Sequence, residues 1–225
     1  MESERQWSDL TKRVIKELQT TFKSCPHCFF SEHDIHSSLY NIVKNELRQL
    51  GIETQTTRDK CTTSLVHHEY PTPFRCDMRE YGFRVKSDHE LAPKGELYKR
   101  GHYDLVIFNP KFIRKHTLDV VSGKDYQKLR AVLPKLNNEP LIWACEIIYF
   151  PKTRKLPENA FRIIEQDTLK VKETLNYRIT DNKTFCKMGS VHVFTGFPET
   201  TAHLLKQETA KIAQKHKVEI TFTTA

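Results

Sequence analysis

Two short apolar segments of this 225-residue chain each carry a single carboxylate, Asp104 within 103–108 and Glu146 within 141–150. An acid in such a run is costly to bury unless it is paired, hydrogen-bonded or bound to a metal. Two such acids on neighbouring strands would suit a hard divalent cation, which prefers oxygen ligands and can activate water against a phosphodiester. The alternative is that Asp104 caps a turn after Gly101 while Glu146 pairs with a lysine or an arginine.

Two further acids extend this pattern. Glu32 falls in the first turn of a predicted helix, on the inward stripe that Ile35 and Leu39 define. The helix dipole alone would favour an acid there, but the same position reaches toward a site at the sheet. Glu69 ends a predicted strand just before Pro71. One helix acid followed by three strand acids is the order found in the core of a metal-dependent nuclease.

On these residues the chain resembles the PD-(D/E)xK nuclease superfamily, over most of 31–197. That family has a helix–strand–strand–strand–helix–strand core, with an Asp on the second strand, a (D/E)-x-K motif on the third and often a Glu on the first helix. Asp104, Glu146 and Glu32 match these positions. The resemblance implies Mg²⁺- or Mn²⁺-dependent hydrolysis of DNA, with the metal held by Asp104, Glu146 and the carbonyl of Ile147, and with Glu32 or Glu69 completing the site.

The motif lysine is missing, because the position that should hold it is Ile148. This lysine normally orients the attacking water and stabilises developing charge. Lys170, on a flank of the next predicted helix, or less favourably Lys152 could replace it. The remaining alternatives are a catalytically inactive module that binds nucleic acid or a protein partner, and an incorrect alignment of Glu146.

The formal charge of +8 and the pI of about 9.1 are compatible with a polyanionic partner, of which nucleic acid is the commonest. The basic residues are dispersed, so charge alone fits an ordinary solvated surface equally well. Between residues 70 and 103, aromatic side chains alternate with arginines and lysines, a mixture that suits backbone contact and base stacking. The predicted nucleic-acid contacts are Arg75, Lys99, Arg100, His102 and Lys152.

The six cysteines occur without a secretory signal, so we expect reduced thiols and a cytoplasmic protein. Cys25 and Cys28 form half of a zinc site, but the spacing of Cys61 and Cys76 is irregular, and a structural zinc is disfavoured. No apolar run approaches the ~20 residues of a membrane span, so a membrane partner is not expected. A homodimer would suit an enzyme that cuts both strands of a duplex.

The elements that must position these residues alternate between helix and strand. Apolar periodicity predicts helices over 5–22, 31–50, 158–177 and 200–215, and strands over 64–70, 105–108, 141–150, 190–197 and 218–223. This order predicts one α/β domain over 1–225: a central mixed sheet flanked by helices, restriction-endonuclease-like over 31–197. An N-terminal helix and the CxxC segment are added over 1–30, and a helix and a strand over 198–225. Neither a GxGxxG motif nor a P-loop is present.

Overall fold

A computed structural model describes residues 4–77, 83–152 and 155–225 of the chain. The helices are α1 Glu4–Ser24, α2 Glu32–Gln49, α3 Pro110–Lys115, α4 Leu118–Val121, α5 Tyr126–Val132, α6 Ala160–Asn176 and α7 Glu199–His216. The strands are β1 Thr54–Thr56, β2 Thr62–Ser64, β3 Val66–Asp77, β4 Arg84–Lys86, β5 Arg100–Phe108, β6 Leu141–Phe150, β7 Arg178–Thr180, β8 Lys183–Thr184, β9 Cys186–Thr195 and β10 Glu219–Thr224. Short 3₁₀ turns occupy Pro26–Cys28 and Leu133–Lys135.

The described strands build one central sheet of six, in the order β10-β9-β6-β5-β3-β4. The pairs from β4 to β6 are antiparallel, whereas β9 runs parallel to both β6 and β10. The parallel pairs need crossovers, which α6 and α7 supply. The predicted α/β architecture, a central mixed sheet flanked by helices, is therefore confirmed.

Helix α6 packs closely on β9 because Gly189 has no side chain at the crossing point. A Cβ built on Gly189 would lie 2.6 Å from Cγ1 of Val171, which is closer than real carbon atoms approach. On β5, a Cβ on Gly101 would lie 3.3 Å from Cδ of Lys170. The two glycines therefore let α6 and the stem of Lys170 settle against the sheet.

Strand β3 corrects the prediction that a strand ends before Pro71. The strand continues through Pro71 and Pro73 to Asp77, and its register with β5 shifts between Pro71 and Arg75. A proline cannot donate to a strand ladder, so it is accommodated at such an irregularity. Glu69 consequently lies inside the strand rather than at its end, with a left-handed φ of 52°.

The predicted helix over 31–50 is confirmed as α2, which begins at Glu32. The Asp34 carboxylate accepts hydrogen bonds from the backbone N–H groups of Ser31, at 2.8 Å, and Phe30, at 2.9 Å. A carboxylate at this position satisfies donors that the helix itself leaves unpaired. The cap fixes the first turn of α2, which carries Glu32. No helix in the described ranges is long and apolar enough to cross a membrane.

The expectation of reduced thiols is wrong for the CxxC pair, because Cys25 and Cys28 form a disulfide. Their Cα atoms are 5.6 Å apart across the 3₁₀ turn, which is within the usual range for a bridge. Cys61 and Cys76 are free. With both thiols bonded to each other, this segment offers no thiolate ligand to a zinc ion.

Candidate metal centre

The first turns of α2 present Glu32 and His36 on one helix face, since residues four apart are neighbours there. Oε2 of Glu32 accepts a hydrogen bond from the backbone N–H of Tyr149 at 3.2 Å, and this contact ties α2 to β6. Oε1 of Glu32 lies 3.9 Å from Nε2 of His36. The helix thus brings one carboxylate and one imidazole to the strand that carries Glu146.

Asp104 lies on β5 where the strand leaves its pairing with β6. The antiparallel register pairs Leu105 with Cys145, so the next step places Asp104 beside Glu146. Oδ2 of Asp104 accepts a hydrogen bond of 2.6 Å from the backbone N–H of Ile147. Burial raises the pKa of Asp104 to about 7, although this hydrogen bond and the nearby Lys170 oppose the rise.

His36, Glu69 and Asp104 each offer one ligand atom, and these three atoms lie within 4.8 Å of one another. On β3, Glu69 lies opposite Asp104, between the register pairs His68 with Leu105 and Tyr70 with Tyr103. The Nε2 atom of His36 is 3.5 Å from Oδ2 of Asp104. Two carboxylates and an imidazole nitrogen at this separation suit a divalent cation.

The state of His36 favours metal binding. Burial lowers its pKa to about 4, so the ring is neutral near pH 7. Its Nε2 atom is buried and has no hydrogen-bond partner among the residues that the structure describes. A hydrogen bond to the backbone of Ile147 opposes this lowering of the pKa, but burial outweighs it. An unpaired, buried nitrogen aimed at a carboxylate is the expected arrangement of a metal ligand.

Lys170 approaches the carboxylates from α6. Its Nζ atom lies 2.7 Å from Oε2 of Glu146 and 3.2 Å from Oδ1 of Asp167, and it donates to the His102 carbonyl at 3.0 Å. The three donors of the ammonium group therefore all have acceptors. Glu146 is only 1% exposed, and its other oxygen, Oε1, has no hydrogen-bond partner within the described residues.

Negative charge exceeds positive charge in this cluster. Burial is the largest cause that raises the pKa of Glu32, Asp104 and Glu146, and neighbouring carboxylates add to it in each case. Burial alone would lower the pKa of Lys170, but the attraction of Glu146 and Asp167 outweighs it and raises the pKa. The lysine stays protonated, and the surplus of carboxylates is what a divalent cation would neutralise.

The structure brings most of the predicted site residues together. Asp104, Glu146, Glu32 and Glu69 meet around the backbone of Ile147, and Lys170 completes the cluster from the predicted helix. Lys152 does not join them: it is exposed just past β6, with its backbone against Gly196.

The residues predicted to contact nucleic acid differ in solvent exposure and in ion pairing. Lys99 and the side chain of His102 are exposed, whereas Arg75 and Arg100 both pair with Asp88. The aromatic side chains that would stack on bases are partly unavailable, because Tyr70, Phe74 and Tyr103 are buried. Tyr81 and Arg79, which belong to the same interleaved stretch, lie outside the described residues.

Two members of the cluster have no assigned role in the sequence pattern, His36 and Asp167. The signal for His36 is its spacing of four from Glu32, which places both on one face of α2. Asp167 precedes Lys170 by three and faces it for the same reason. These spacings indicate His36 and Asp167 as site residues only after Glu32 and Lys170 have been chosen.

The chain has no match among protein-family models, curated proteins or solved structures.

Proposed function

We propose that this protein is a metal-dependent nuclease that hydrolyses phosphodiester bonds of DNA. The observation that carries the proposal is the position of Lys170, whose ammonium group lies 2.7 Å from Glu146 although residue 148, where the motif would place a lysine, is Ile148. Lys170, on α6, would therefore provide the positive charge that the strand motif lacks at position 148. The order α2–β3–β5–β6–α6–β9 supports the same interpretation.

His36, Glu69 and Asp104 would hold the ion, which would supply Lewis acidity and a nucleophilic water. Glu146 is not a member of this group of three; its Oε2 keeps Lys170 in place beside the group. The proposed ion is Mg²⁺ or Mn²⁺, both of which accept carboxylate oxygens as ligands.

Lys170 is the group that this chain provides for the charge that develops on the reacting phosphate. Its side chain is 8% exposed, and Glu146, Asp167 and the carbonyl of His102 fix its direction. A preorganised cation in a site of low water content stabilises transition-state charge without reorganisation. Glu32, tied to the backbone of Tyr149, borders the same space and can orient water.

The partner that best fits the chain is DNA. The formal charge of +8 favours a polyanion, and the carboxylate cluster would need a metal to accept one. Arg100, at the start of β5, adds positive charge on the same strand that carries Asp104.

The test is a cleavage assay on single-stranded, double-stranded and branched DNA, with Mg²⁺ or Mn²⁺ and with EDTA. Asp104→Asn and Lys170→Met should abolish metal-dependent cleavage while DNA binding is retained. Asp181→Asn, which changes an exposed acid beyond β7, is the matched control and should cut like the wild type. Wild-type protein that binds DNA but cuts none with either ion would instead identify a non-catalytic binding module.

A further inference from the structure

In the described part of the chain, three guanidinium groups converge on one carboxylate, that of Asp88. Arg100 contacts Oδ1 through Nη2, Arg130 lies 2.8 Å from Oδ2, and Nε of Arg75 is 3.8 Å from Oδ1. Three positive charges surround a single negative one, so the arginine cluster, defined as Arg75, Arg100 and Arg130, keeps a surplus of positive charge.

Two of the three arginines in the cluster are held in place by contacts beyond Asp88. The Arg100 guanidinium lies 3.1 Å from the centre of the Tyr126 ring, and the Tyr126 hydroxyl donates to the carbonyl of Pro73. Arg75 donates to the carbonyl of Tyr98, while its Nε is buried and has no hydrogen-bond partner within the described ranges. Stacking and backbone contacts therefore fix the guanidinium groups of Arg75 and Arg100 in place. They are preorganised for an acceptor with more oxygen atoms than one carboxylate.

A phosphate group is such an acceptor. A guanidinium group binds phosphate through two parallel N–H bonds, and a phosphate offers more oxygens than Asp88 does. Arg100 and Asp104 lie four residues apart on β5, a separation of about 13 Å at ~3.3 Å per residue. One DNA strand advances about 3.4 Å per nucleotide along the duplex axis, so the two positions are about four nucleotides apart.

We propose that the arginine cluster binds a phosphate group of the nucleic-acid strand whose cleavage is proposed above, on which this inference rests. The phosphate takes the place that the Asp88 carboxylate fills in the free protein. Asp88 thereby keeps the guanidinium groups paired and oriented until nucleic acid arrives. The cluster holds the strand a few nucleotides from the cut and sets the position of cleavage along it.

Binding measured in EDTA tests this inference separately from cleavage. Fluorescence anisotropy would compare oligonucleotides of one sequence that carry a 5′-phosphate, a 3′-phosphate or only hydroxyl ends. Arg130 is the arginine to change, because its side chain is 54% exposed and can be truncated without opening the core. Arg130→Ala should weaken binding about tenfold and lower the dependence of log K on log salt by about one.

Asp88→Asn provides the opposite perturbation, since removing the competing carboxylate charge should strengthen binding severalfold. A variant that merely disturbed the fold would weaken it. Arg48→Ala is the matched control: Arg48 is also exposed and also paired with a carboxylate, that of Glu53, but it lies on α2. It should bind like the wild type.

Comparison of the three oligonucleotides identifies which phosphate is bound. A preference for one phosphorylated end that Arg130→Ala abolishes identifies a terminal phosphate, and an equal loss on all three oligonucleotides identifies an internal phosphodiester. Both results support the inference. Unchanged affinity and salt dependence in both Arg130→Ala and Asp88→Asn would overturn it, even if wild-type protein cuts DNA. Absence of cleavage with intact arginine-dependent binding would overturn only the proposed nuclease.

Discussion

Replacing Asp104 by Asn should stabilise the metal-free protein while removing the proposed nuclease activity. The Asp104 side chain is 17% exposed, and its pKa is raised from 3.8 to about 7, mainly by burial. An Asn at this position keeps an oxygen that can accept the bond from the backbone N–H of Ile147. The substitution therefore removes a buried charge from a crowded acidic cluster and preserves the local geometry.

The sign and size of the expected change in unfolding free energy follow from the linkage between protonation and folding. Between pH 3.8 and about 7 the folded chain holds a proton on Asp104 that the unfolded chain releases, so stability falls as the pH rises through this window. A rise of this size corresponds to about 4 kcal/mol above pH 7. Asp104→Asn should thus be more stable than the wild type by about 4 kcal/mol near pH 8, or by about 10 °C in Tm.

Urea unfolding in EDTA at about pH 8 and about pH 4 measures this difference. The advantage of Asp104→Asn should largely disappear at the lower pH, where the wild-type carboxyl group is protonated. Addition of Mn²⁺ at pH 8 should raise the stability of the wild type and leave the variant unchanged. The control is Asp34→Asn, which should destabilise, because hydrogen bonds from Ser31 and Phe30 lower the pKa of Asp34. A variant at position 104 that is no more stable than wild type at pH 8 would refute the reasoning.

Three further outcomes are expected. Lys170→Met leaves the buried Glu146 without its cation and should cost about 3–5 kcal/mol in urea unfolding, and a cost below 1 kcal/mol would argue against a charged pair. His36→Asn replaces the imidazole by an amide and should weaken binding of Mn²⁺ more than of Mg²⁺ in calorimetric titrations; unchanged binding of both ions would exclude His36 as a ligand. Gly189→Ala forces a contact of 2.6 Å with Val171 and should destabilise by about 1–3 kcal/mol in the same assay, whereas an unchanged Tm would show that α6 moves freely.

The parts of the fold that the sequence predicts well are those with strong apolar periodicity. Strand β6 is apolar except for Glu146, so the sequence predicts the strand and also shows that this acid is unusual. The helix that carries Lys170 follows in the same way. Helical spacing places Lys170 on a flank of this helix near Asp167, but its choice over Lys152 depends on the resemblance, in which this helix packs beside the site.

The features that the sequence does not reveal depend on tertiary context. Prolines normally end a strand, and only the register shift against β5 explains why β3 continues through two of them. His36 carries no apolar signal, and its importance depends on Asp104, which is distant in the chain. Asp88 looks like an ordinary loop acid until the fold collects three arginines around it.

Two glycines lie where α6 packs on the sheet, and the spacing between helix and sheet depends on them. Gly101 lies under the stem of Lys170, and Gly189 lies under Val171 and Leu175 of the same helix. A methyl group at Gly189 would meet Val171 at 2.6 Å and force α6 away from the sheet, whereas one at Gly101 would meet the Lys170 stem at 3.3 Å; neither change alters any charge. The distance between the ammonium group and the carboxylates therefore depends on how closely α6 packs on the sheet, and substitutions at these two glycines would change that distance while leaving the charges in place.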